Sequence, residues 1–336
     1  MDYRYLGRSA LKVSPLCLGT MMFGGETDEP TSRRIIDKAF EQGVNFLDTA
    51  DVYHLGRSEE VTGRAIAAQR DKWVVATKFG FPASASQGPN EQGQSRKWVM
   101  QSVEASLKRL GTDYLDILYY HCAIPGLPLD ESLRAIDDLI RQGKLRYYGV
   151  SNFRAWQIGE MARLADQLGM QRPTVSQPVY SIVDRQVEVE HLPATAHYGL
   201  GVTSYSPLAR GVLSGKYAVD AAPPADSRAG RGDRRIQQTE WRAESLAIAQ
   251  KVAAHATSRG MTPVAFALAW VLHNRLMTAT IAGPRTEAHW DGYVAALSAQ
   301  LTAEDEKFVD SLVPPGHAST YGYTDPGYPV EGRQPR

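Results

Sequence analysis

Short apolar runs alternate along this chain with longer stretches in which apolar residues recur every three or four positions. The runs are four to seven residues long in most cases and are typical of strands rather than helices. They predict strands at residues 16–18, 45–48, 73–78, 115–121, 147–151, 174–177, 201–205 and 278–281. The stretches between them have the period of an amphipathic helix.

Three of these amphipathic stretches are especially clear, because each is followed by a glycine. Apolar spacing of three and four that ends in a glycine is typical of a helix with its C-cap. The stretches are residues 31–42, 96–110 and 129–142, and the glycines are Gly43, Gly111 and Gly143. Strands that alternate with helices in this way indicate parallel β/α units.

Two folds are built from such units, an open doubly wound sheet and a closed eight-stranded barrel. The open fold usually carries G-x-G-x-x-G after its first strand. The nearest match, residues 199–204, lacks the third glycine and precedes a strand, so it fails as a dinucleotide fingerprint. Eight units therefore favour a (β/α)8 TIM barrel, an α/β fold whose active sites lie at the C-terminal ends of the strands.

The segments outside the barrel units complete the predicted organisation. A small β-hairpin is expected before the first barrel strand, with arms at residues 4–6 and 11–13. Two polar, turn-rich loops, 82–94 and 220–233, are long enough to act as lids or binding loops. We expect residues 1–313 to form a single domain and residues 314–336 to form a C-terminal tail near the active-site face.

Composition excludes several classes of function. The 336-residue chain has 37 Lys and Arg against 37 Asp and Glu, a balance that argues against nucleic-acid binding. Its two cysteines form no C-x-x-C, and its eight histidines form no H-E-x-x-H, so no metal site is predicted. With no apolar signal segment and no membrane-length apolar run, we expect a cytoplasmic protein without a membrane partner.

Polar residues stand where the predicted strands end, which is where a barrel builds its active site. Asp48, Lys78 and His121 end the second, third and fourth strands, and Tyr53 follows Asp48 by five residues. The next strands end in further polar residues, Ser151, Asn152, Gln177, Tyr205 and Ser206. One such residue could be a hydrogen-bonded strand exit, but polar groups at six strand ends indicate a site.

The first four residues predict proton transfer to a carbonyl group. A phenol, with a reference pKa of about 10, needs a neighbouring cation such as Lys78 to become a useful acid or base near neutral pH. Asp48 would hold Lys78 in place, and His121 would donate a hydrogen bond to the carbonyl oxygen. An alternative has His121 as the acid and Tyr53 only positioning the substrate. Since none of these groups supplies electrons, a hydride-carrying cofactor is implied.

Six segments together resemble the aldo-keto reductase superfamily, over nearly the whole chain to about residue 313. They are residues 43–54, 75–79, 116–122, 149–154, 204–218 and 281–287. The resemblance implies a (β/α)8 barrel closed at its bottom by the hairpin, and NADP(H) bound without a Rossmann fold. It implies a tetrad of Asp48, Tyr53, Lys78 and His121. Tyr53 would be the general acid when a small carbonyl compound is reduced and the general base when an alcohol is oxidised.

The same resemblance implies the cofactor-binding residues. For the nicotinamide end these are Ser151, Asn152 and Gln177 at the carboxamide, with Tyr205 stacked on the ring. The loop covering the pyrophosphate would contain Ser206, Leu208, Gly211 and Lys216. The 2′-phosphate of the adenosine would be bound by Pro284, Arg285 and Thr286, where a helix start and an arginine form an anion site.

This sequence departs from the family pattern at two places. At the adenine end it has His289 and Tyr293 where the family often has Gln and Asn, so His289 is expected to contact the cofactor differently. After His121 it has an apolar run, Cys-Ala-Ile-Pro, where near relatives often carry an Asp, which favours an apolar substrate. Cys122 is interpreted as a small buried residue rather than a redox group.

Two other functions are compatible with the sequence. One is a non-catalytic protein that senses NADPH and binds a partner protein. The other is a barrel aldolase with Lys78 as the Schiff-base nucleophile, which a paired and protonated lysine disfavours. The substrate and the oligomeric state do not follow from the sequence.

Overall fold

The computed structural model of the chain describes residues 1–84, 86–219 and 221–330, and these residues cluster into two units. The first contains Met1–Pro178, Glu190–Tyr205 and Arg275–Asp291, and the second contains Val179–Val189, Ser206–Asn274 and the described chain from Gly292 onward. Parts of the predicted loops and tail, namely Ala85, Asp220 and residues 331–336, lie outside the described residues. A single domain over residues 1–313, and a tail near the active-site face, remain predictions.

Within the described residues of the first unit, eight parallel strands close into a barrel, as predicted. The strands are β3 Leu16–Gly19, β4 Phe46–Asp48, β5 Val74–Phe79, β6 Leu115–Tyr120, β7 Leu145–Ser151, β8 Val175–Gln177, β9 Gly201–Ser204 and β10 Ala279–Ala282. Their order around the barrel is β10-β3-β4-β5-β6-β7-β8-β9. Each lies within two residues of its predicted position. Apolar runs predicted them well because barrel strands are covered on both faces.

The N-terminal hairpin closes the bottom of this barrel, as predicted. Its strands, β1 Arg4–Tyr5 and β2 Lys12–Val13, pair antiparallel. Leu6 and Val13 are fully buried in one cluster with Cys17 and Phe46, from the starts of two barrel strands. The turn needs a glycine at position 7, whose φ is +58° and whose added Cβ would lie 2.4 Å from the backbone nitrogen of Gly201.

Helices of the first unit flank the barrel strands in sequence. They are α1 Glu29–Glu41, α2 Arg57–Ile66, α3 Arg96–Leu110, α4 Leu129–Arg141, α5 Ala155–Leu168 and α6 His191–Tyr198. The predicted helix at 96–110 has the observed bounds, because Ser95 caps its first turn by accepting from the Trp98 backbone and Gly111 ends it with φ of +63°.

The second unit is largely helical, and its C-terminal segment is bound to it by polar contacts. Its helices are α7 Arg234–Gln238, α8 Ala243–Ser258, α9 Pro263–His273 and α11 Ala303–Leu312, and a further helix, α10 Glu287–Val294, contains residues of both units. Arg242 donates to the hydroxyls of Ser319 and Thr320, and its guanidinium lies 3.7 Å from the Tyr323 ring centroid. Among the described residues, no helix combines the length and apolarity needed to cross a bilayer.

One close helix contact in the first unit gives a direct test of this packing. A Cβ added to Gly63 in α2 would lie 2.3 Å from the Leu110 carbonyl oxygen at the end of α3. Gly63→Ala should therefore destabilise the protein by about 1–3 kcal/mol through overpacking. Gly292→Ala is the matched control, because the nearest atom to its added Cβ lies 3.9 Å away, and it should be neutral or stabilising by up to about 1 kcal/mol. Urea denaturation of both variants checks this, and equal midpoints would contradict it.

Candidate active site

The C-terminal ends of β4 and β5 bring a buried acid and a buried base together. Asp48 is the last residue of β4, and Lys78 is the penultimate residue of β5. Their side chains are at most 3% exposed and form an ion pair between Lys78 Nζ and Asp48 Oδ1. Parallel neighbours in one barrel end at the same rim, so residues 30 positions apart in sequence meet there.

Further hydrogen bonds satisfy this buried pair. Lys78 Nζ donates to the Thr49 carbonyl at 2.7 Å, and Gln177 Nε2 donates to Asp48 Oδ2 at 2.7 Å. Burial lowers the pKa of Lys78, but Asp48 and then Tyr53 outweigh burial, and the pKa is raised. Burial raises the pKa of Asp48, a rise that Lys78 and Gln177 oppose. The lysine is therefore a cation held between fixed oxygen acceptors.

Tyr53 places its hydroxyl on this cation. Lys78 Nζ donates to the Tyr53 hydroxyl at 3.2 Å and lies 4.8 Å from the ring centroid. Tyr53 begins a short 3₁₀ turn, Tyr53–Gly56, in which His54 and Leu55 have left-handed φ of 49° and 57°. The contact joins a residue five positions beyond Asp48, the last residue of β4, to a lysine of β5.

His121 follows β6 and presents its ring edge to the same place. Its ring centroid lies 6.0 Å from that of Tyr53 and 4.7 Å from that of Phe81, both in edge geometry. Burial, and then Lys78, lower the pKa of His121 well below its usual range. His121 is consequently a neutral imidazole near pH 7, which can donate one hydrogen bond but is a poor source of a proton.

A second polar cluster stands at the ends of β7, β8 and β9. Asn152 Nδ2 donates to the His121 carbonyl at 2.8 Å, and its Oδ1 accepts from the Tyr205 hydroxyl at 2.9 Å. Ser151 Oγ donates to the Gln177 carbonyl at 2.9 Å. The four residues predicted at the nicotinamide end thus lie in one hydrogen-bonded group, adjacent to the tetrad through Gln177 and His121. Their contact with a cofactor remains a prediction.

The residues predicted at the pyrophosphate lie in the second unit. Ser206, Leu208, Gly211 and Lys216 belong to or flank the 3₁₀ segment Ala209–Ser214. Ser206 has a φ of 57° and Gly211 a φ of 99°, and a Cβ on Gly211 would lie 3.2 Å from Lys216 Nζ. The segment is therefore a tight loop in which the Lys216 side chain lies against Gly211. Its contact with a pyrophosphate remains a prediction.

The residues predicted at the 2′-phosphate surround the start of α10. Thr286 Oγ1 accepts from the His289 backbone at 3.2 Å and so caps this helix, and His289 Nδ1 accepts from the Arg285 backbone at 3.4 Å. Pro284 is buried beside them. Glu287 in the first turn is neutralised by Arg34 at 2.7 Å. The start of α10 and Arg285 are thus adjacent, which is the arrangement expected of an anion site.

Backbone strain coincides with the predicted site segments. Among the described residues, the non-glycine positions with positive φ are His54, Leu55, Asn152, Ser206, Ala209 and Arg210. Each lies beside or within a segment that the sequence assigns to catalysis or cofactor binding. Such conformations persist where the surrounding structure holds them, and they cluster at functional sites.

Sequence reasoning missed three contributors to this site. The Thr49 carbonyl accepts from Lys78, Phe81 packs on His121, and Gln177 binds Asp48 in addition to its predicted role. A backbone acceptor leaves no trace in residue type, and Phe81 stands at the edge of a predicted loop with no signal of its own. Cys122 is buried, and burial raises the pKa of its thiol to about 11, which fits an unreactive packing residue.

Comparisons with known proteins agree with this geometry. The sequence model described as "Aldo/keto reductase family" matches residues 15–314. The chain is 35% identical over 333 residues to the uncharacterized oxidoreductase YrpG of Bacillus subtilis, covering 96% of this chain and 99% of that protein. It is 37% identical over 295 residues to a protein of Arabidopsis thaliana named probable voltage-gated potassium channel subunit beta, covering 86% and 88%.

The family match spans the barrel, the tetrad segments and the start of α10, and both relatives are aligned over most of their length. Family membership supports an oxidoreductase, in a family that generally binds NAD(P)H. The chain belongs to the aldo/keto reductase family.

Proposed function

We propose that this protein catalyses the reversible, NADPH-dependent reduction of an aldehyde or ketone to an alcohol. The observation that carries the proposal is the contact of the Tyr53 hydroxyl with Lys78 Nζ at 3.2 Å, with Lys78 itself paired to buried Asp48. A phenol in hydrogen-bond contact with a fixed ammonium group is equipped to release and regain a proton.

Each tetrad residue has a distinct task in this reaction. Tyr53 donates its proton to the carbonyl oxygen during reduction and accepts it back during oxidation. Lys78 stabilises the phenolate that remains, and Asp48 keeps Lys78 charged and in place. Neutral His121 donates a hydrogen bond that orients the substrate oxygen. When bound, the nicotinamide supplies the hydride that reaches the carbonyl carbon.

The donor set fits a nicotinamide dinucleotide. Amide and hydroxyl groups at the ends of β7 and β8 suit a carboxamide, and the helix start beside Arg285 suits a phosphate. We therefore assign the nicotinamide end to Ser151, Asn152, Gln177 and Tyr205. The adenosine 2′-phosphate is assigned to Pro284, Arg285, Thr286 and His289. The pyrophosphate role of Ser206, Leu208, Gly211 and Lys216 rests on the family resemblance.

A second candidate is a regulatory protein that binds NADPH and a partner protein without turnover. It is favoured by the similarity to proteins named as potassium channel β subunits in Arabidopsis thaliana and Oryza sativa. The complete tetrad contacts argue for turnover, since a sensor needs no proton donor. Consumption of NADPH with a generic aldehyde such as 4-nitrobenzaldehyde excludes a purely non-catalytic role.

The aldolase alternative conflicts with the environment of Lys78. A Schiff-base lysine must lose its proton to attack a carbonyl. Here Nζ donates to Asp48, to the Thr49 carbonyl and to Tyr53, and the pKa of Lys78 is raised. Borohydride reduction in the presence of a carbonyl ligand should leave Lys78 unmodified.

Tyr53→Phe tests the identity of the acid. The substitution keeps the ring but removes the proton, so kcat should fall by about 10²–10⁴-fold or more, with cofactor affinity nearly unchanged. His121→Phe is the matched comparison, because it tests the alternative acid at the same rim. Both are measured as kcat on one reducible aldehyde. Near-normal kcat in Tyr53→Phe, with activity abolished in His121→Phe, would make His121 the acid instead.

Lys78→Met tests whether the tetrad acts as a unit. Turnover should collapse because the phenol loses its cation, and Asp48 loses its partner. The double variant Lys78→Met/Tyr53→Phe should lose little more activity than either single variant, since groups that act together are strongly non-additive. Losses that multiply in kcat would show that the two residues act independently.

Arg285→Ala tests the cofactor preference. Loss of a charged hydrogen bond to the 2′-phosphate should weaken NADPH binding by about 1.5–3 kcal/mol and leave NADH binding nearly unchanged. Titration of intrinsic tryptophan fluorescence with each dinucleotide measures both. Arg275→Ala, on the loop between α9 and β10, is the control for a general loss of positive charge. Equal weakening for NADPH and NADH would show that Arg285 does not contact the phosphate.

A further inference from the structure

A partly buried ion pair lies beside the segment that carries Tyr53. Glu59, in the first turn of α2, is fully buried, and its Oε2 accepts from Arg109 Nε of α3 at 2.6 Å. Its Oε1 accepts from the Thr77 hydroxyl of β5 at 2.5 Å. Thr77 immediately precedes Lys78, so one carboxylate joins α2 and α3 to the strand that carries the catalytic lysine.

The same arginine packs directly on the Tyr53 turn. Gly56, the last residue of that turn, has φ of +89°, and a Cβ added there would lie 2.5 Å from Arg109 Cδ. Arg109 thus packs against Gly56, the residue that follows left-handed His54 and Leu55 in this turn. Residues in such conformations keep them only where neighbouring groups hold them in place.

The local charge balance assigns the Arg109 cation to Glu59. Asp51, between Asp48 and Tyr53, is also buried, and its Oδ1 accepts no hydrogen bond from the described residues. Burial, and then Glu59, raise the pKa of Asp51 to about 8, a rise that Arg109 opposes. The direct partner of the Arg109 guanidinium is Glu59, at 2.6 Å.

We propose that Arg109 is a positioning residue for catalysis, which with Glu59 clamps the Tyr53–Gly56 turn to the end of β5 and keeps the Tyr53 hydroxyl on Lys78. The inference rests on the proposed reductase function. Arg109 belongs to the helix layer behind the strand and acts through Tyr53 and Lys78, without touching substrate. Stability alone is a weak reason for such a pair, since a buried ion pair often stabilises a fold no better than apolar packing.

Arg109→Ala separates positioning from binding. A small displacement of a catalytic group can reduce turnover by about 10²-fold, so kcat for aldehyde reduction should fall by about 10–100-fold. KM and the Kd for NADPH should change by no more than about twofold, because the cofactor residues are untouched. Arg141→Ala is the matched control, since Arg141 is an exposed helix arginine paired with Asp137 on its own helix, and it should retain wild-type kcat.

Rescue distinguishes the clamp from a general loss of structure. Guanidinium chloride below unfolding concentrations should restore part of kcat in Arg109→Ala, and sodium chloride at equal ionic strength should not. Arg109→Lys, which keeps the cation, should retain more activity than Arg109→Ala and serves as the test variant if the alanine variant does not fold. Wild-type kcat in Arg109→Ala, or a loss shared equally by kcat and NADPH binding, would overturn the inference.

A measurement without turnover keeps this inference separable from the proposed function. Hydrogen–deuterium exchange in peptides spanning residues 53–58 should be faster in Arg109→Ala than in wild type, with peptides of α4 unchanged. Absence of any carbonyl reduction by the wild-type protein would refute the proposed function. Unchanged exchange in residues 53–58 would refute the clamp, whatever the wild-type protein catalyses.

Discussion

The buried ion pair between Lys78 and Asp48 is the interaction on which the rest of the site depends. Two charges removed from water at a barrel rim are costly unless each is paired and hydrogen-bonded. Here the Thr49 carbonyl and the Gln177 amide complete the coordination of the pair. Those contacts join the ends of β4, β5 and β8, so the charge pair also fixes the local geometry of the rim.

The barrel explains how the protein can accommodate a buried charge pair at its rim. Its strands are apolar along most of their length, and they bury side chains on both faces, which makes the scaffold rigid. The polar groups are confined to the rim, where a few strained backbone positions orient them. Left-handed His54 and Leu55 follow Tyr53 directly, and left-handed Asn152 donates to the His121 carbonyl.

The sequence pattern predicted the strands and helices well, but it did not predict the side-chain contacts between distant residues. The strands, the 96–110 helix and the closing hairpin could be predicted from the spacing of apolar residues and from helix caps, which are local properties of the chain. Asp48, Lys78 and His121 could be proposed because they end strands in a fold whose strand ends converge. The Gln177–Asp48 hydrogen bond spans 129 positions and the Glu59–Arg109 pair spans 50, and no local signal marks either. Left-handed His54 and Leu55 were equally invisible, since only a few per cent of non-glycine residues adopt that conformation and leucine is not among the enriched types.

The pH dependence of both reaction directions tests whether Tyr53, tuned by Lys78, is the shared acid and base. Reduction needs the protonated phenol and oxidation needs the phenolate, so kcat/KM should fall with rising pH in one direction and rise in the other. Both profiles are measured on one aldehyde–alcohol pair at saturating cofactor, and their limbs should have opposite slopes. Mirror-image limbs that disappear in Tyr53→Phe would agree with this account. Limbs of the same slope in both directions, or limbs that persist in Tyr53→Phe, would contradict it.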